Sequence, residues 1–113
     1  MNRKRLYLLV LSAMLTAIGI IIPLLGDRDD DRWVDYATDR MYERFGMAYH
    51  SDGLIRSFRE GEPVVLPGRM VFANVRWLSE LDLTILYGIA LAIQKVAKRE
   101  DIAVMIDGDI LIV

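Results

Sequence analysis

A chain of 113 residues has room for one domain, and sixteen acidic against fourteen basic side chains leave it without the basic excess of a general phosphate-backbone binder. It has no cysteine, which excludes disulfides, thiolate nucleophiles and cysteine-based zinc sites. The apolar fraction of 54% exceeds the roughly 45–50% of ordinary globular chains, and the excess gathers at the N-terminus.

Residues 6–25, LYLLVLSAMLTAIGIIIPLL, run for twenty positions without a charge. As a helix with about 1.5 Å rise per residue, that run matches the roughly 30 Å of a bilayer's hydrocarbon layer. The pattern predicts a single-pass transmembrane helix, kept as a signal-anchor because no Ala-x-Ala site stands at its exit. Arg3, Lys4 and Arg5 precede the run, and four aspartates and two arginines follow it in GDRDDDR. Basic flanks stay inside, so the N-terminus is expected in the cytoplasm and the C-terminal domain outside it. On this reading Arg3, Lys4, Arg5, Trp33 and Tyr36 sit at the membrane interface, with lipid as a partner.

The stretch LSAMLTAIGIIIPLL resembles the first helix of substrate-binding components of energy-coupling-factor transporters, which implies five further spans that this chain does not contain. An apolar helix with Pro23 near its end, followed by a polar helix, is also similar to type IV pilins. Their Gly-Phe processing site and early glutamate are missing, and neither family is assigned.

Residues 27–32 form a charged linker, without the glycine and distal glutamate of a calcium loop. Residues 33–47 read as an amphipathic helix with Val34, Ala37, Met41 and Phe45 on its apolar face. Short strands are expected at 54–58, 64–66 and 70–75, with Pro67-Gly68 as a turn. A helix follows at about 79–99, with Ser79 as its N-cap and Asp82 as the partner three residues on. Its expected core stripe is Leu81, Ile85, Ile89, Ala92 and Val96. Leu83, Tyr87 and Leu91 lie off that stripe and make a ridge expected to dock on a partner, either other subunits of a membrane complex or a second copy. Asp107-Gly108 between two apolar runs predicts a hairpin at the end of the chain. The expected fold is therefore α+β: an anchor over 1–26, a linker over 27–32, and a small domain over 33–113 of order α-β-β(-β)-α-β-hairpin. An α-β-β-α-β core resembles the small ring-building domains of membrane-spanning secretion and sporulation machines.

Chemistry is sparse. His50 is the single histidine, and the contiguous His50-Ser51-Asp52 is not a triad, whose members meet in space from separate elements. Asp107 and Asp109 have no third ligand in view, and no phosphate or nucleophile motif occurs. The residues thus predict no catalytic group, no metal and no cofactor, nucleic acid being excluded as a partner. They point to a non-enzymatic structural or assembly subunit of a membrane complex acting through protein–protein interaction. The alternative is a small ligand-binding or enzymatic domain using His50 and the arginines Arg56, Arg59, Arg69 and Arg76.

Overall fold

The structure, a computed structural model, describes residues 3, 15–26, 28–59 and 61–112, the side chains of 57–59 and 112 excepted. Its centre is the segment expected to be an anchor. Thr16–Pro23 is a β-strand, β1, and the middle strand of a five-stranded antiparallel sheet. Its neighbours are β3 (Glu62–Val75) and β4 (Ala103–Ile106), with β2 (Tyr49–Arg59) and β5 (Asp109–Ile112) at the edges, in the order β2-β3-β1-β4-β5. Two helices, α1 (Asp30–Phe45) and α2 (Glu80–Ala97), complete the architecture.

The transmembrane helix is therefore overturned. Among the described residues no helix is long and apolar enough to cross a membrane. The single-pass topology, with a cytoplasmic N-terminus and an external domain, rested on that helix and falls with it; residues 6–14 of the expected span lie outside the described residues. The physical reason is that a central strand and a membrane helix present the same uncharged run. In TAIGIIIP the residues are largely β-branched, which favours an extended backbone. Ile18, Ile20 and Ile22 alternate onto the helix side, where all three are fully buried. The opposite side carries Ala17, Gly19 and Ile21, so no polar alternation marks the strand.

Register shows how the two layers meet. Ile20 lies opposite Val71 on one side and Val104 on the other, and Ile18 opposite Ala73 and Ile106. These residues pack with Val34, Ala37 and Met41 of α1 and with Leu86, Ile89, Ala90 and Ile93 of α2 in one core. Both helices thus cover the same sheet face. At Gly19 an added Cβ would stand 2.7 Å from the Val71 carbonyl oxygen and 2.9 Å from Phe72 Cβ, so β1 and β3 approach too closely for a side chain.

The remaining elements refine the expectations. Ser79 caps α2, and its side chain and that of Asp82 exchange hydrogen bonds with each other's backbone N–H at 3.0 and 3.1 Å. The buried stripe of α2 is Leu86, Ile89, Ala90 and Ile93, whereas Leu81 and Val96 of the expected stripe are exposed. Pro67-Gly68 is not a turn; β3 runs straight through it opposite Leu54 and Gly53. The Pro67 carbonyl accepts from the Leu24 N–H at 2.8 Å, on the β1 side of the strand. The missing proline N–H faces that same side, past the last pair of β1, Pro23 with Gly68, so it costs a bond only at the very end of that ladder. The terminal hairpin turns at Asp107 and Gly108, with positive φ at both (50° and 91°), the geometry of a type I′ turn.

Candidate functional site

The titratable groups singled out in the sequence do converge, but on a strand. His50 and Asp52 both stand on β2, two residues apart, and so project to the same side of the sheet. Register places Val71 opposite His50 and Arg69 opposite Asp52, which assigns this side to the face that the helices cover. Because β2 is an edge strand, these groups stand at the margin of the sheet.

Arg69 donates from Nε to Asp52 Oδ1 at 2.7 Å and from Nη2 to Oδ2 at 3.5 Å. This bond holds the Asp52 carboxyl below its ordinary value, against a smaller desolvation effect, and the Arg69 and His50 charges act in the same direction. The same bond raises Arg69, with the charges of Asp31 and Asp35 of α1 adding to it. Asp52 is well exposed, so the pair is a poised surface element rather than a source of much stability. Thr38, one helical turn beyond Asp35 on α1, reaches His50: its Oγ1 lies 2.7 Å from Nε2. The arrangement gathers an imidazole, a carboxylate and a guanidinium on one exposed face, a set that complements an amino-acid-like head group.

The arginines expected to share this site do not all do so. Arg69 belongs to it, Arg56 and Arg76 are exposed, and Arg59 lies outside the described side chains. Asp107 and Asp109 serve the hairpin turn. Among the described residues no group of three or more histidine, cysteine or acidic side chains is arranged to hold a metal ion.

A second polar centre ties the loops together. The Asp30 carboxylate accepts from the backbone N–H of Leu25 at 3.2 Å and of Gly26 at 2.8 Å, fixing the exit of β1 to the start of α1. Arg99, whose side chain is 9% exposed, donates to Asp101 at 3.1 Å, to the Pro23 carbonyl, and approaches Asp30 at 3.9 Å. Nearby, a cleft of about 360 Å³ runs between the first turn of α1 and the last of α2. Asp30 and Arg99 form part of its lining, so the cleft borders the same structural clamp.

The interface residues predicted from periodicity are spread out. Leu83 and Tyr87 are half-buried, Tyr87 against the core, and Leu91 is exposed. Trp33 and Tyr36 also pack against the core, with the guanidinium groups of Arg32 and Arg40 over their rings at 5.0 and 5.5 Å. Arg3 is exposed, and Lys4 and Arg5 lie outside the described residues. Sequence reasoning missed Thr38 and the Asp52–Arg69 pairing. The i, i+2 spacing of His50 and Asp52 was a signal for the shared face, but nothing local pointed to strand β3 as its neighbour.

Compared with known proteins, the chain matches no family model and no curated sequence. Among solved structures it is similar to a phage SAM lyase in complex with S-methyl-5'-thioadenosine, at a TM-score of 0.54 and 19% identity over 88% of each chain. The apo state of a phage SAM lyase aligns at a TM-score of 0.48 and 18% identity, over 88% of this chain and 87% of that one. The likeness is one of fold. It nevertheless corrects the expectation of a non-enzymatic subunit of a membrane complex, because this fold carries an enzyme and the supposed anchor is the middle of its sheet.

Proposed function

We propose that this chain is an enzyme of the S-adenosylmethionine lyase type, acting on S-adenosylmethionine to form S-methyl-5'-thioadenosine. The observation that carries the reading is the extent of the fold likeness, 88% of both chains. With so little of either chain left over, an activity of the one fold has the same framework available in the other.

The chemistry suits a small scaffold. S-methyl-5'-thioadenosine keeps the methyl and adenosyl groups, so the bond that breaks joins sulfur to Cγ of the four-carbon amino-acid arm. The electron pair stays on sulfur and cancels the sulfonium charge. The arm completes its valence by attack of its own carboxylate on Cγ, or by loss of a proton from the neighbouring carbon. Either way the atoms balance without an oxidant or reductant. What the protein must supply is orientation of the arm, and holding reacting atoms in place is worth several kcal/mol of barrier in favourable cases, on the order of 7–11. The cluster of His50, Asp52 and Arg69 provides groups of both charges for an ammonium and a carboxylate.

The test is direct. The purified full chain is incubated with S-adenosylmethionine and the products are resolved by chromatography, with heat-denatured chain as the control for spontaneous breakdown. S-methyl-5'-thioadenosine should accumulate with the native chain, and Arg69→Met should lower kcat/KM by about tenfold or more, the loss of a charged hydrogen bond. Formation no faster than in the denatured control would end this reading.

A further inference from the structure

The contact between Thr38 and His50 has a definite proton arrangement. Thr38 Oγ1 lies 2.7 Å from the Val34 carbonyl oxygen, one turn back in α1, and also 2.7 Å from His50 Nε2. A hydroxyl has one proton to give. A carbonyl can only accept, so that proton goes to Val34, and the threonine oxygen must accept at the second contact. His50 Nε2 is therefore the donor. In the neutral ring the other nitrogen, Nδ1, then carries the lone pair. Nδ1 has no hydrogen-bond partner among the described residues, and His50 is exposed.

We infer that Thr38 is a positioning residue that holds His50 with Nε2 protonated, so that Nδ1 accepts a hydrogen bond from the α-ammonium group of an amino-acid-bearing substrate. This rests on the lyase reading for the identity of that substrate. A donor group is the fitting occupant because the surroundings are rich in acceptors. Asp52 stands two residues along the same strand and on the same face, Asp31 and Asp35 of α1 act on the charge of Arg69, and that guanidinium is turned to Asp52. An ammonium held at this point leaves the substrate's carboxylate and side arm with a fixed direction, which is the orientation the proposed reaction needs.

His50 is the single histidine in the chain, so its ring nitrogens are identified without assignment in a long-range proton–nitrogen NMR spectrum of the full ¹⁵N-labelled protein. At a pH where the ring is neutral, Nε2 should appear protonated and Nδ1 unprotonated. Thr38→Ser should preserve that pattern, and Thr38→Val, which keeps the shape but not the acceptor, should give a mixture of tautomers. Titration with S-adenosylhomocysteine, which has the amino-acid arm but no sulfonium to cleave, should move the Nδ1 resonance, and S-methyl-5'-thioadenosine, which lacks the arm, should not. Thr38→Val should weaken S-adenosylhomocysteine binding by about 3–10-fold, the value of one hydrogen bond, and Thr38→Ser should restore it. A protonated Nδ1 in the parent chain, or a resonance unmoved by S-adenosylhomocysteine, overturns the inference. A moved Nδ1 without formation of S-methyl-5'-thioadenosine from S-adenosylmethionine leaves it standing and removes the lyase reading instead. Turnover with an unmoved Nδ1 does the reverse.

Discussion

Replacing Ile20 by alanine separates a sheet strand from a membrane anchor by the size of its effect. Ile20 is fully buried in the middle of β1, between Val71 and Val104, under both helices. The substitution removes three carbons; at about 0.8 kcal/mol per buried methylene the lost transfer energy is roughly 2.4 kcal/mol. A central strand flanked on both sides by paired strands has little freedom to collapse, so a cavity contribution adds to this, for a total of about 3–4 kcal/mol within the 2–5 usual for such changes. For a domain of this size that corresponds to a fall in Tm of roughly 10–20 °C. Circular dichroism melts of the parent chain and Ile20→Ala, in the same buffer, measure it. Ile21→Ala, on the opposite face and only half-buried, should lose about half as much. A side chain in a lipid-facing helix would cost far less than one in a packed core. An Ile20→Ala melt within about 2 °C of the parent would refute the strand and its burial together.

Gly19→Ala should destabilise the protein more than Gly68→Ala, as read by urea unfolding. The first Cβ meets the backbone oxygen of Val71, whereas the second meets the end of the Ile55 side chain, which can rotate away. Arg99→Met should cost on the order of 3 kcal/mol by the same measurement, since it removes the cation from between Asp30 and Asp101 in a mostly buried site; a variant as stable as the parent would show that the clamp contributes nothing. The Asp82 carboxyl is held below its unfolded value of 3.8 by its bond from the Ser79 backbone and then by Arg44. A carboxyl lowered on folding stabilises the protein above its unfolded pKa, and that contribution fades as pH falls through the lower folded value. Asp82→Asn should therefore be less stable than the parent at pH 7, with the gap closing below about pH 4 in a series of thermal melts.

Local chemistry alone was enough for the features that a few neighbouring residues control. Ser79 and Asp82 cap α2 because the cap needs just those two side chains at that spacing, and Asp107-Gly108 turns the hairpin because the turn needs positive φ at two successive residues. The spacing of Val34, Ala37 and Met41 likewise names the buried face of α1, since charged residues occupy the opposite side of that helix. Where a segment is apolar all round, periodicity has nothing to select between. The run ending in TAIGIIIP satisfies a membrane helix and a central strand equally, and only its pairing with β3 and β4 decides for the strand. On α2 several stripes fit the same helical period, and the sheet beneath chooses Leu86, Ile89, Ala90 and Ile93, leaving Leu81 and Val96 outside. The candidate site belongs to this second class. His50 and Asp52 are neighbours in the chain, but Thr38 and Arg69 join them across twelve and seventeen residues through the docking of α1 and the register of β3. Such contacts depend on how whole elements pack, and no short stretch of residues encodes that.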